Sequence, residues 1–188
     1  MGEFVDDLAE GLHRVVSELT RSEAVVVSVV QGPAAGAELS LAAAADVVLA
    51  ADTSSFTLAY SAVGLSNDGG SSLLVNTLGL HRVLRMAMLN DRLTAQQAYE
   101  AGLVARVVPA DDLQETAEDV VASLLEGPAT AYAKCKALIR ETAEPSPEGV
   151  MRRETLAIRH TANVDGREGV AAFVEKRKPR FGNRSRQP

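Results

Sequence analysis

Apolar residues near the start of the chain recur at steps of three and four positions, the spacing that gathers side chains on one face of an α-helix. The pattern runs through Val5, Leu8, Leu12, Val15, Val16 and Leu19. The segment from Ala24 to Val30, AVVVSVV, is a β-branched run with almost no polar alternation. Such a run is typical of a strand covered on both faces in a parallel sheet. The chain is therefore predicted to open with an amphipathic helix and a buried strand.

Two strand-to-helix junctions follow this strand. QGP (31–33) breaks it, and the Ala- and Leu-rich AELSLAAAA (37–45) has strong helix propensity. DVVLAADTSSF (46–56) is predicted to be a second strand, and the Gly/Ser/Asn-rich GLSNDGGSS (64–72) a loop leading into a Leu-rich helix. Because parallel strands need helical crossovers, this order predicts an α/β fold built from βαβ units.

The second half of the chain is predicted to be mostly helical. Thr94 can cap a helix that Gly102 ends, and the short strand VARVV stops at Pro109. Further helices are predicted from about Asp111 to Leu125, from Pro128 to Thr142, after Pro147, and in GREGVAAFVEKR. We therefore expect a βαβ core over residues 1–125 and a C-terminal helical region over 126–188.

Composition narrows the classes of function. The chain has 19 Lys and Arg against 25 Asp and Glu, a net charge of -6, so no basic field favours nucleic acid or anionic lipid. The lone cysteine, Cys135, excludes an internal disulfide and has no Cys or His neighbour at metal-ligand spacing. The start of the chain lacks a cationic signal-peptide head, and no apolar run is long enough to span a membrane. The predicted location is the cytoplasm.

The first junction, QGPAAGAELSL, places small residues where a strand ends and a helix begins. The first N–H groups of a helix have no intrahelical partner and can stabilise negative charge, for example on a thioester oxygen. The alternative is a tight turn that serves close packing of helix and sheet, because Gly/Ala-rich turns are common in α/β folds.

The second junction contains one carboxylate, Asp68, in a small-residue loop beside apolar segments. A partly desolvated carboxyl there is suited to moving a proton near neutral pH, which makes Asp68 the candidate acid/base. The alternative is an ordinary capping residue, since Asp before Gly-Gly at a helix start is a common turn and N-cap sequence.

Three segments together resemble the crotonase (enoyl-CoA hydratase/isomerase) family in order, spacing and residue type. They are residues 25–72, LTAQQAYEAGLVARVV (93–108) and DGREGVAAFVEKRKPRF (165–181). The resemblance implies a ClpP/crotonase-like spiral of βαβ units, C-terminal helices that form a homotrimer or hexamer, and an acyl-CoA thioester substrate. Coenzyme A is then part of the substrate, and neither a separate cofactor nor a metal is expected. It also implies an oxyanion donor at the Ala37 N–H and substrate contacts at Gly32, Ala35, Gly36, Tyr60, Gly64, Leu65 and Lys176.

Hydratases of this family carry two glutamates, and this chain has Ser40 and Tyr60 at the corresponding positions. Glu38 is no obvious substitute, because two residues along a helix turns a side chain to roughly the opposite face. Asp68, in contrast, falls where isomerase-type members carry a catalytic aspartate and where the dehalogenase branch carries a nucleophile. The resemblance therefore favours double-bond isomerisation, with Asp68 moving the proton and the Ala37 N–H stabilising the enolate.

The other candidate site residues give weaker indications of a chemical role. Lys176 falls where family members place a lysine near the coenzyme A nucleotide, although a solvated basic tail from Lys176 to Pro188 is the alternative. His13, His81 and His160 have no acidic or cysteine partner at motif spacing. Surface or packing roles are therefore expected for all three histidines.

Family members usually begin with strands and a loop, often F-x-A-G-x-D-L, that supply the other oxyanion donor, and this chain starts at the helix after them. From this we expect an isolated chain to be oligomeric or poorly stable. Two functions are predicted: an acyl-CoA isomerase, or a catalytically inactive acyl-CoA-binding or assembly paralogue.

Overall fold

The computed structural model describes residues 2–181. Within these residues the chain forms nine α-helices and six short strands. The helices are α1 (Gly2–Arg21), α2 (Ala37–Ala44), α3 (Val75–Leu78), α4 (Leu80–Leu89), α5 (Ala95–Glu100), α6 (Leu113–Leu125), α7 (Ala129–Ala143), α8 (Pro147–Asn163) and α9 (Gly166–Val174). The strands are β1 (Val27–Val30), β2 (Pro33–Ala35), β3 (Val47–Ala51), β4 (Ser55–Thr57), β5 (Leu93–Thr94) and β6 (Arg106–Val108). The predicted α/β class and helical C-terminal region are confirmed, whereas the proposed division after residue 125 stays a prediction.

The strands form two small sheets. The first has the order β1-β3-β6 with all strands parallel, and the second has the order β2-β4-β5, in which β2 and β4 are parallel. The single strand predicted over 46–56 is wrong, because a turn at Asp52 and Thr53 separates β3 from β4 and sends them into different sheets. β1 is less covered than predicted: it lies at the edge of its sheet, and Val29 is 43 % exposed.

Two apolar clusters pack the helices against the sheets. Phe56 on β4 and Leu39 on α2 are fully buried in the larger cluster, which also includes buried residues of β3. Leu49 on β3 packs with Leu113 and Ala117 of α6 in the second cluster. The sheets therefore hold α2 in a fixed position, with its first residue at the end of β2.

The helices α1 and α8 pack against each other beside α2. Val16, Ala44 and Met151 of these three helices form a third buried cluster. The adjoining α7 is tied to this layer by Lys136, whose Nζ donates to the carbonyls of Leu19 and Ala24 at 2.8 and 3.0 Å. The α1–α8 layer therefore forms a wall next to the loop that carries Asp68.

Two helix boundaries are set by local residue chemistry, one at Thr94 and one at Gly79. The Thr94 hydroxyl accepts the Gln97 N–H and the Gln97 side chain accepts the Thr94 N–H, which forms a capping box at the start of α5. The Leu-rich helix predicted after the second junction is not continuous, because Gly79 has a φ of 79° and separates α3 from α4. None of the described helices is both long and apolar enough to cross a membrane.

Candidate active site

The first junction places the backbone amide of Ala37 at the exposed start of α2. Gly36, with a φ of 59°, turns the chain from β2 into α2, and its N–H donates to the Thr57 carbonyl at 3.1 Å. The Ala35 N–H donates to the Glu38 carboxylate at 3.3 Å. Ala37 is exposed, and its N–H has no hydrogen-bond partner within the described part of the chain. The Ala37 amide is therefore available to an oxygen atom of a ligand.

The second junction lies directly against the first. The Asp68 carbonyl accepts hydrogen bonds from the Ser40 hydroxyl on α2 and from the Tyr60 hydroxyl, each at 3.2 Å. A methyl group built on Gly36 would lie 3.7 Å from Cζ of Tyr60, so the Tyr60 ring stands beside the turn. The structure thus brings Gly36, Ser40, Tyr60 and Asp68 together at the start of α2.

The Asp68 carboxyl is buried and paired with a histidine. Asp68 is 5 % exposed, and its Oδ1 lies 2.7 Å from Nε2 of His13 on α1. His13, which has no acidic partner at motif spacing in the sequence and was expected in a surface or packing role, thus has a buried acidic partner in the fold. The capping alternative for Asp68 is also wrong, because the next helical turn, Ser71–Leu74, begins after Gly70 and has no side-chain cap.

A second buried acid, Glu154 on α8, holds the backbone of the same loop. Its Oε2 accepts the Gly70 N–H at 2.6 Å and its Oε1 accepts the Ser72 N–H at 2.8 Å. Sequence reasoning missed both Glu154 and His13. The available signal was their position, since each lies inside the apolar stripe of its helix, where an unpaired polar residue is costly.

His13, Asp68 and Glu154 are the described residues whose types and spacing would suit a metal ion, with donor atoms within 4.8 Å of one another. The Gly69 N–H points at Nε2 of His13 at 3.1 Å, and Gly70 and Ser72 donate to Glu154. These N–H groups occupy the Nε2 lone pair and one acceptor site on each Glu154 oxygen. The cluster is therefore better explained as a hydrogen-bond network than as a metal site.

Tyr60 acts as a hydrogen-bond donor here and not as a base. Burial and then the nearby negative charge of Asp68 raise the pKa of Tyr60 well above its ordinary value. Its phenol is consequently protonated at neutral pH. Neither Ser40 nor Tyr60, which the family resemblance aligns with the hydratase glutamates, supplies a carboxylate.

The remaining candidates lie apart from this cluster or serve packing. Gly64 packs against the start of α9, where a methyl group on it would lie 2.6 Å from the Asp165 backbone. Leu65 lines an apolar cavity of about 740 Å³ together with Val75, Leu84 and Met88. Gly32 is half-buried with open space beside it.

Lys176 lies in the exposed segment after α9, which is held by an ion pair. The Arg177 side chain and the Arg180 N–H donate to Glu168, and these bonds lower the pKa of the Glu168 carboxyl to about 2. Residues 182–188 of the predicted basic tail lie outside the described residues.

Acidification is expected to release this segment. Because the pKa of Glu168 is depressed in the folded chain, its contribution is complete above the ordinary value of 4.5 and disappears as the pH falls toward 2. Hydrogen exchange at the Arg180 amide should therefore accelerate, beyond its intrinsic pH dependence, across this window. Glu168→Gln should remove the effect, and an unchanged profile in that variant would contradict the assignment.

The fold and the site define an α/β protein of the crotonase type, and comparison with known proteins gives the family. The family model for enoyl-CoA hydratase/isomerase matches residues 2–184. The chain therefore belongs to the enoyl-CoA hydratase/isomerase family.

Individual relatives agree with this family and differ in their named reactions. The Rhodobacter capsulatus protein named "Probable enoyl-CoA hydratase" is 37 % identical over 161 residues, which cover 85 % of this chain and 63 % of that protein. The 1,2-epoxyphenylacetyl-CoA isomerase of Escherichia coli is 34 % identical over 182 residues, covering 93 % of this chain and 69 % of the enzyme. The chain thus spans about two thirds of the length of these relatives.

A solved structure supports the same assignment. The crystal structure of an enoyl-CoA hydratase from Mycobacterium avium subsp. paratuberculosis K-10 superposes with a TM-score of 0.91 at 38 % identity, covering 95 % of this chain and 74 % of the other. Because these relatives are named as hydratases and isomerases, they give no support to the inactive alternative.

Proposed function

We propose that the protein isomerises the double bond of an acyl-CoA thioester by moving a proton, with Asp68 as acid/base. The observation that carries this proposal is the burial of the Asp68 carboxyl, on a loop whose backbone carbonyl at Asp68 is bonded to Ser40 of α2 and to Tyr60. A carboxyl removed from bulk water can take a proton from a carbon that a thioester activates, and a backbone amide can stabilise the enolate that forms. The Ala37 N–H is the proposed donor to the enolate oxygen.

Isomerisation is favoured over hydration by the chemistry at Ser40 and Tyr60. Both side chains donate their hydroxyl groups to the Asp68 carbonyl, and the Tyr60 phenol is protonated at neutral pH. Addition of water in this family needs carboxylates at these two positions, whereas a proton shuttle needs one acid/base group. Lys176 remains a proposed contact to the coenzyme A nucleotide.

The test uses a coenzyme A thioester with a β,γ double bond. The protein is expected to convert it to the conjugated isomer, and Asp68→Asn should lower this rate on the order of 10²- to 10⁴-fold. The conjugated product is measured by its absorbance, and the fold of each variant by circular dichroism. Asp119→Asn, at an exposed position of α6, is the matched control. Equal rates for Asp68→Asn and the control would exclude Asp68 as the acid/base.

Assembly into a trimer or hexamer is proposed as well. Large apolar side chains are exposed on α7, α8 and α9: Leu138, Ile139, Leu156, Phe173 and Val174. Such surface is costly in a monomer. A mass measurement in solution tests the proposal, and a monomer at micromolar concentration would contradict it.

A further inference from the structure

The loop that carries Asp68 is held in place by side chains of other elements. Residues 65–70 belong to no helix or strand, and Gly69 and Gly70 have positive φ values of 70° and 79°. Four N–H groups of the loop donate to side chains of distant helices: those of Ser66, Gly69, Gly70 and Ser72. The position of the acid therefore depends on the helices that supply these acceptors.

Helix α8 accepts three of these four hydrogen bonds. Glu154 accepts the N–H groups of Gly70 and Ser72, and the Thr161 Oγ1 accepts the Ser66 N–H at 3.0 Å. The Thr161 hydroxyl donates its own proton within α8, so its oxygen acts as the acceptor toward the loop. One helix thus holds the chain two residues before the acid and again two residues after it.

The two side chains share one face of α8. Glu154 and Thr161 are seven positions apart, which is two helical turns or about 10 Å along the axis. Met151 and Ile158, on the same face, are 3 % and 4 % exposed. A methyl group built on Gly70 would lie 3.6 Å from Sδ of Met151, so the loop packs against this buried face. Because a helix keeps its side chains at fixed spacing, α8 is a rigid support for the loop.

We propose that Glu154 and Thr161 are positioning residues for the reaction, which hold the Asp68 carboxyl at the distance that proton transfer needs. This inference rests on the proposed function and gives α8 a part in it. Both side chains bond to the backbone of the loop and act on the acid through it. Proton transfer needs a heavy-atom separation of about 2.6 to 3.2 Å, and a displacement of about 1 Å costs up to about a hundredfold in rate.

The experiment measures kcat and KM for isomerisation of the β,γ-unsaturated thioester. Thr161→Val keeps the shape of the side chain and removes the acceptor, whereas Glu154→Gln replaces one of two acceptor oxygens with a donor. We expect kcat to fall about three- to tenfold in Thr161→Val and on the order of 10- to 100-fold in Glu154→Gln, with KM within about threefold of the wild type. Thr161→Val is the milder change, and it keeps the test decisive if Glu154→Gln unfolds.

Matched controls lie on α7. Thr142→Val removes a hydroxyl that donates to the carbonyl of Leu138 within its own helix, and Thr142 is exposed. Glu141→Gln neutralises an exposed acid. Both controls should match the wild type in kcat and KM.

Calorimetry separates positioning from a loss of folded protein. Titration with the saturated thioester of the same acyl length gives the number of binding sites per chain. This number is expected to stay at the wild-type value in Thr161→Val while kcat falls. A merely structural role would lower the number of sites and kcat by the same factor, and that result overturns the proposal.

Combination with Asp68→Asn shows whether the two residues act through the acid. In that background there is no acid to place, so Thr161→Val and Glu154→Gln should change the residual rate by less than about twofold. Losses as large as those in the wild-type background would overturn the positioning role.

The outcomes also distinguish this inference from the proposed function. If Asp68→Asn slows isomerisation while Thr161→Val and Glu154→Gln keep the wild-type kcat, the positioning role is wrong and the role of Asp68 stands. If Asp68→Asn keeps the wild-type rate, the proposed function fails and the positioning role fails with it.

Discussion

Gly169→Ala is expected to destabilise the protein by about 2 to 3 kcal/mol, because the added methyl group has no space. Gly169 is buried on α9, and a methyl group there would overlap the backbone carbonyl of Val63 and approach the Val63 Cα to 2.8 Å. Backbone atoms cannot rotate away as a flexible side chain does. The α9 helix would therefore have to move from the segment that carries Gly64 and Leu65.

The control for this prediction is Gly11→Ala in α1. Gly11 is exposed, and nothing lies within 4 Å of an added methyl group. Alanine favours a helix interior over glycine by about 1 kcal/mol, so this variant should be more stable than the wild type. Urea unfolding measures both free energies. Shifts of the same sign in the two variants would contradict the packing described for α9.

Glu154→Gln is expected to lower the free energy of unfolding by about 3 kcal/mol. Glu154 is 5 % exposed, and each of its carboxylate oxygens accepts one backbone N–H from the Asp68 loop. A glutamine amide replaces one acceptor with a donor, which leaves a buried N–H facing another N–H. The charge that strengthens the remaining bond is lost as well.

Two measurements check the Glu154 prediction. Urea unfolding gives the global effect, with Glu141→Gln on the exposed side of α7 as the matched control. Amide exchange at Gly70 and Ser72 gives the local effect, and protection should be lost there even under conditions where the protein stays folded. Unchanged protection at both amides would show that Glu154 does not hold the loop.

The sequence predicts those elements correctly that depend on interactions between residues close together along the chain. A three- and four-residue apolar spacing predicts α1, and Thr94 with Gln97 predicts the start of α5, because these interactions join neighbours along one helix. The two junctions were recognisable for the same reason, since small residues between a strand and a helix are contiguous. The error over 46–56 arose because the turn at Asp52 is short and both flanking strands are apolar.

The sequence alone thus determined the α/β class and the two junctions, and together with the family resemblance it made Asp68 the candidate acid. Only the tertiary structure decided what surrounds that acid. His13 and Asp68 are 55 positions apart, and Glu154 reaches the Ser72 amide across 82 positions. No spacing rule joins residues so distant, because their contact depends on how α1 and α8 pack beside α2. Which groups pair with the buried acid depends on how the helices pack. The presence of the acid in a small-residue loop, in contrast, can be read directly from the sequence.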